Sequence, residues 1–250
     1  DNILYAGAQQ IKAHFNDIDF LEISVPETSR LVTEKKILGY KEILSQARSC
    51  ASTLKERSPE QIRVIGGDCG VEPVPVTYLN RKYRGDLALV WFDAHADMNT
   101  PETSPSGHFH GMPLRVILGE GDPGILATCF SALNTSRVIL AGAREFDPAE
   151  TGFIKKNQIP MLSCRALEKN PAAISDLIEK TGAGHVYIHI DLDVLDPESF
   201  SSIKHPTAGG IEIGTLLNCI KDIAAEFNIA GLGITEFVPD GDSGLLEIEQ

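Results

Sequence analysis

Short runs of consecutive apolar residues alternate along this chain with longer stretches in which apolar positions recur every three or four residues. The first pattern suits strands buried on both faces, and the second suits helices with one buried side. Strands are expected at 20–25, 62–65, 87–92, 137–141, 186–190 and 229–234, with a short one at 159–162. Helices are expected at 6–15, 33–57, 74–82, 112–118, 171–180 and 215–226. In the longest of these, Ile37, Ile43, Leu44, Ala47 and Leu54 form the apolar stripe. Such alternation predicts an α/β fold with a mostly parallel sheet and right-handed crossovers. No repeat, low-complexity tract or linker interrupts it, so residues 1–250 are expected to form a single domain. The chain opens on a helical segment and stops at 244–250 with little of a final helix, which leaves room for a missing first edge strand and a missing terminal helix.

Composition narrows the picture. An apolar fraction of 42% describes an ordinary globular protein, and no apolar segment approaches the roughly 20 residues of a membrane span. The first residues lack the basic flank and apolar core of a signal peptide. They also lack an initiator methionine, which leaves room for a removed leader or an incomplete chain. A net charge of −13 argues against nucleic acid and anionic membranes as partners and suits a cationic substrate, although solubility alone explains it equally well. The five cysteines are scattered, odd in number and without a CxxC pair, which points to a reducing cytoplasm.

Chemistry concentrates where the strands are expected to end. Asp93-Ala94-His95-Ala96-Asp97 follows the run 87–92, and Asp191-Leu192-Asp193 follows 186–190. Side chains alternate faces along an extended strand at roughly 3.3 Å per residue, so Asp93, His95 and Asp97 can converge if the backbone stays extended, as can Asp191 and Asp193. Carboxylates gathered beside a buried strand repel one another and lose solvation, at a cost that a cation relieves. Carboxylates with one imidazole suit a divalent ion such as Mn²⁺. Polar clusters at 66–69, 144–147 and Glu236 stand at three more strand ends, the rim where open parallel sheets bind ligands.

Taken with Gly66-Gly67-Asp68-Cys69 and Ser106-Gly107-His108-Phe109-His110-Gly111, these motifs resemble the arginase/agmatinase (ureohydrolase) family from about Gly66 through Glu236. The stretch 99–107 is closer to arginases than to agmatinases. The resemblance implies a three-layer α/β/α catalytic domain, and two bridged Mn²⁺ ions that activate a water to attack a guanidino or amidino carbon. It implies that Asp93 and Asp191 contact both ions, that His95 and Asp193 complete one site, and that Asp97 joins the other with Cys69. It further implies that Asp97 helps hold the hydroxide, that Glu236 pairs with the substrate guanidinium, and that His110 transfers a proton. Asp147 is implied near a substrate amino group, and Ser106 and His108 near a substrate carboxylate. A small cationic guanidino or amidino substrate and a homo-oligomer follow from the same resemblance.

Three departures qualify it. Cys69 stands where the family carries a metal-ligating histidine, and a thiolate favours Zn²⁺ or Fe over Mn²⁺. His108 replaces an asparagine, and Ile203-Lys204-His205-Pro206-Thr207 replaces a Thr-Gly-Thr-Pro-like run. One or two ions are therefore open, and arginine itself is not assured as substrate. The alternative is a non-catalytic, arginase-like binding or regulatory protein with an incomplete metal site; a third reading is a one-Zn²⁺ amide hydrolase. Blander roles compete at single residues. Cys69 can be a small residue in a glycine-rich turn. Asp196 suits a structural Asp-Pro turn. His189 shares strand parity with Asp191 and suits an orienting hydrogen bond more than ligation. His14, His185 and His205 default to surface or loop roles, and Lys204, Arg144 and Glu145 to solvated rim charges.

Overall fold

A computed structural model describes residues 2–26 and 30–239. Helix α1 (Asn2–His14) opens the described chain and sends Ile11 into the core. Two sequence expectations fail next. Residues 20–25 form no strand: their apolar and polar positions alternate, but Leu21 is 60% and Val25 43% exposed, so there is no buried face to pack against a sheet. The long helix at 33–57 begins only at residue 40, because β1 (Thr33–Glu34) and β2 (Ile37–Leu38) form a hairpin ahead of it. Its two turn residues, Lys35 and Lys36, take φ of 50° and 62°, the primed-turn geometry that matches strand twist.

The remaining elements are α2 (Tyr40–Arg57), β3 (Ile62–Ile65), α3 (Pro73–Lys82), β4 (Leu87–Phe92), α4 (Pro113–Ile117), α5 (Pro123–Leu126), β5 (Val138–Ala141), α6 (Pro148–Asn157), β6 (Met161–Leu162), α7 (Cys164–Lys169), α8 (Ala173–Thr181), β7 (His185–Asp191), α9 (Ile213–Glu226) and β8 (Asn228–Thr235). Apart from 20–25, each expected strand is present with ends moved by no more than two residues. The strands from β3 to β8 make one parallel sheet in the order β3-β8-β7-β4-β5-β6. Helices cover both faces, giving the three-layer α/β/α architecture. Every residue of β4 is buried, as a strand between two helical layers requires. Its side chains divide by parity: Ala88, Val90 and Phe92 enter a core with α8 and α9, and Leu87, Leu89 and Trp91 enter one with α2 and α3. Among the described residues no helix is long and apolar enough to cross a membrane.

Two glycines in β8 set how closely the second layer approaches. A methyl group at Gly231 would stand 2.5 Å from the Tyr187 ring, and one at Gly233 would collide with the Glu72 carboxylate. Gly233→Ala is therefore expected to lower stability by about 1–3 kcal/mol through overpacking. The urea midpoint of the variant against the parent measures it, and an unchanged midpoint would mean Glu72 can move freely.

Candidate metal centre

Strand register builds the site. Ile65, Ile234, Ile190 and Phe92 lie side by side across β3, β8, β7 and β4, so these strands end at one level. Beyond that level the expected extended convergence does not occur. β4 stops at Phe92 and Asp97 takes a left-handed φ of 53°, while 192–194 close a 3-10 turn after Asp191. The acids fold these turns themselves. Asp93 Oδ1 accepts the His95 amide at 2.6 Å, Asp191 Oδ1 that of Asp193 at 2.8 Å, and Asp68 Oδ1 that of Gly70 at 2.9 Å. Short acidic side chains bond the backbone two residues on more readily than a strand continues. The second oxygen of Asp93 accepts the Trp91 indole N–H at 2.9 Å, and that of Asp191 lies 3.0 Å from Cys69 Sγ. Glu236 also sits at left-handed φ, 67°, with its amide bonded to the Gly67 carbonyl at 2.9 Å. Left-handed non-glycine residues concentrate at functional sites, and two of them line this cavity.

Three groups of donor atoms lie within 4.8 Å of one another: Asp93, His95 and Asp193; Cys69, Asp191 and Glu236; and Cys69, Asp93 and His189. Asp97 lines the same cavity, of about 230 Å³, but falls outside these groups. His95 Nδ1 stands 2.9 Å from Asp193 Oδ2 and 3.4 Å from Asp93 Oδ1. Burial pulls the His95 pKa down, but these two carboxylates overcome it and push it up to about 12. Burial works upward on Asp193 too, yet the hydrogen bond from His95 wins and leaves it below the usual range. Asp93, Asp97 and Asp191 are raised, by burial first and by neighbouring aspartates next. Glu236 is raised by burial to about 7, against the pull of His110, and neither of its buried oxygens has a hydrogen-bond partner. Buried carboxylates that repel one another and an orphaned glutamate are the electrostatic complement of divalent cations, so the donor set fits them.

The cavity mouth carries the remaining candidates. His110 Nδ1 is 3.6 Å from Glu236 Oε1, an ion-pair separation longer than a hydrogen bond, and its ring lies 5.3 Å from that of His205. Burial lowers the His110 pKa, but Glu236 and Asp68 raise it more. Ser106 and Asp147 line the cavity, whereas His108 is exposed and does not. Asp147 caps α6 in a reciprocal box with Glu150 and accepts Asn99 Nδ2 at 2.7 Å. Arg144 is no solvated rim charge. Its guanidinium clamps the carbonyls of Gly142, Asp193, Thr207 and Ala208 at 2.7–3.1 Å, which ties the 191–193 turn to the loop that carries His205. Asp196 accepts the amides of Glu198 and Gly209, as a turn residue does.

Sequence reasoning missed several members of the site. Glu72, fully buried, bonds His189 Nδ1 at 2.9 Å and accepts the Tyr187 hydroxyl. Trp91 donates its indole N–H to Asp93 Oδ2 at 2.9 Å. Glu150 carries the Met98 amide at 2.8 Å, and the Asp147-Pro148-Ala149-Glu150 spacing is a capping-box signal that could have found it. His205, expected at the surface, reaches the cavity.

A model of the arginase family matches residues 4–246. An arginase of Staphylococcus aureus (strain MRSA252) is 31% identical over 226 residues, which are 84% of this chain and 73% of that protein. The crystal structure of Entamoeba histolytica arginase in complex with L-ornithine superposes with a TM-score of 0.85 at 22% identity, over 99% of this chain and 88% of that one. The formimidoylglutamase of Bacillus subtilis has the same fold, with a TM-score of 0.68 at 20% identity, over 95% of this chain and 73% of that one.

Proposed function

The chain belongs to the arginase family, and on that premise we propose that it is a metal-dependent hydrolase of small guanidino or amidino compounds. The observation that carries this reading is Glu236, a buried carboxylate with no hydrogen bond to either oxygen, lining one cavity with His95 and Asp193. Asp93, His95 and Asp193 would hold one divalent ion. Cys69, Asp97 and Asp191 would hold a second, with Asp93 and Asp191 shared between the two. When bound, such ions, Mn²⁺ in our reading, lower the pKa of water enough to supply a nucleophile at neutral pH. A guanidinium is a resonance-stabilised electrophile, so a weaker nucleophile would not suffice.

The chain's own groups then do three things. Glu236 pairs with the planar cation by charge-assisted hydrogen bonds and fixes its face toward the acidic cluster. His110, beside Glu236 and raised in pKa, holds a proton at Nδ1 to pass to the leaving amine. Ser106 and Asp147 contact the distal end of the substrate. Asp147 already accepts Asn99 and caps α6, and His108 is exposed and does not line the cavity. We read the substrate as a guanidino (arginine-like) or amidino compound. Residues 1–250 would act as one catalytic domain, in a homo-oligomer; the five free cysteines suit the cytoplasm.

The test is a screen of small guanidino and amidino compounds for urea or ammonia release by the Mn²⁺-loaded protein. Release from at least one compound is expected, lost with chelator and restored by Mn²⁺. No release from any of them, at full metal content, would overturn the reading.

A further inference from the structure

We propose that Cys69 and His189 together form a sulfur–nitrogen half-site that gives the metal position served by Cys69 and Asp191 a soft or borderline ion, zinc or cobalt in kind, in preference to Mn²⁺. The inference rests on the cavity being a metal centre, as read above, and adds a ligand and a metal class to it.

His189 is built to present a lone pair. Its Nδ1 lies 2.9 Å from Glu72 Oε1, and Glu72 also accepts the Tyr187 hydroxyl, so the carboxylate is the acceptor and Nδ1 carries the hydrogen. That tautomer leaves Nε2 unprotonated and facing Cys69 Sγ at 3.4 Å. The ring is stacked on Trp91 with 3.5 Å between centroids, and β8 offers only Gly233 opposite it, where a side chain would expel Glu72. A carboxylate on one imidazole nitrogen is the arrangement that orients metal-binding histidines.

Cys69 is over-supplied with acceptors. Its sulfur lies 3.0 Å from Asp191 Oδ2, 3.4 Å from His189 Nε2 and 3.3 Å from Thr235 Oγ1. One thiol hydrogen cannot serve both Asp191 and His189, so one lone pair faces sulfur with nothing between. A cation in place of that hydrogen serves both. The 3.4 Å separation of sulfur and nitrogen is close to the roughly 3.6 Å expected for a thiolate and an imidazole on one tetrahedral zinc. Asp93 lies within 4.8 Å of both and Asp191 beside the sulfur, completing a set of S, N, O and O donors. Thiolate and imidazole select zinc-like ions, where oxygen sets suit Mn²⁺. On coordination the thiol proton leaves to solvent.

Cys69, His189 and Glu72 also stand in the order of a nucleophile, a base and its orienter. The sulfur is buried, lies 3.0 Å from Asp191 Oδ2 and shares a 4.8 Å donor group with Glu236, a setting of carboxylates that suits a cation better than an attacking thiolate, so the metal reading is the stronger one.

Cobalt loading of the whole chain, followed by absorption spectroscopy, tests the proposal without relying on turnover. A near-ultraviolet thiolate-to-cobalt band with intense tetrahedral visible bands is expected. Cys69→Ser should abolish the first, and His189→Gln should shift the second and weaken cobalt binding by about tenfold or more. Glu72→Gln should keep the thiolate band and weaken binding by about 10–100-fold. With equimolar Zn²⁺ and Mn²⁺, one zinc per chain should be retained. Full cobalt uptake without a thiolate band overturns the proposal, as does a spectrum indifferent to His189→Gln. Turnover that persists in chelator and is lost in Cys69→Ser overturns it in favour of the nucleophile. If the variants fail to fold, the parent spectrum and zinc retention still decide. A thiolate band without urea release supports the half-site and sinks the hydrolase reading, whereas urea release without the band does the reverse.

Discussion

Asp191→Asn is expected to reduce hydrolysis by at least about 10³-fold, roughly 4 kcal/mol of barrier, while leaving the fold intact. The amide oxygen of asparagine can still accept the Asp193 N–H that closes the 191–193 turn. The negative charge is lost, and with it an anionic donor that stands 3.0 Å from Cys69 and beside Asp93 and Asp193. Both candidate ion positions draw on this residue, so metal content should fall alongside rate. Stability of the metal-free protein should move the other way. Removing one of several mutually repelling buried carboxylates relieves the folded state, so the chelated variant should melt no lower than the chelated parent. Rate under saturating Mn²⁺, elemental analysis and thermal melts in chelator check the three parts. Full activity with normal metal content would sink the assignment of Asp191.

A pH series on protein stripped of divalent ions should give a stability that is highest near pH 4.5 and declines as the pH rises through 7. The sign follows from the direction of the shifts. Burial raises Glu236 from 4.5 to about 7, so between those values the folded chain holds a proton that the unfolded chain has released. Its contribution is complete below about 4.5 and is lost as the pH climbs through the folded value, at a cost of roughly 3 kcal/mol. Asp97 and Asp191, raised by burial, act in the same sense. His95, pushed up to about 12 by Asp193 and Asp93 against its burial, contributes fully below about 6.5 and fades above. Asp193 is depressed, so its contribution is lost as the pH falls through its folded value, which shapes only the acid limb. Saturating metal should reverse the trend, because the donors bind as ionised groups and a ligand at a thousand times its Kd adds about 4 kcal/mol. Thermal melts with chelator and with Mn²⁺ from about pH 4.5 to about pH 8 make the comparison. A chelated protein whose stability rises across that range would show that the carboxylates do not repel.

The parallel sheet was legible because 87–92 is an unbroken apolar run and 186–190 is interrupted only by His189, and a strand covered on both faces needs no alternation. The acidic clusters were legible for a related reason: ionisable groups directly after such runs have no inexpensive place in a core. What escaped lies where local pattern and tertiary contact disagree. Residues 20–25 alternate like a strand but pair with no other strand. The hairpin before α2 turns on Lys35 and Lys36, which carry none of the glycine or asparagine that usually announces positive φ. The backbone path through 93–97 was misjudged because an aspartate that caps its own turn reads, in sequence, like one that follows a strand. Glu72 was invisible because its partner His189 lies 117 residues away, and a single glutamate before a proline looks like a solvated helix start. Arg144 deceived in the same manner, since its carbonyl partners come from three separate loops.

Asp93 and Asp191 each hold a backbone amide with one oxygen, while the other is held by the Trp91 indole in Asp93 and faces Cys69 in Asp191. Each is thus a bracket bolted to its own loop before any ion arrives. An incoming cation meets claws already set, so capture should need little rearrangement and lose little conformational entropy. Lengthening either bracket to glutamate would keep the charge and the oxygens but unfasten the bolt. By this geometry, the shape of the side chain matters here as much as its charge.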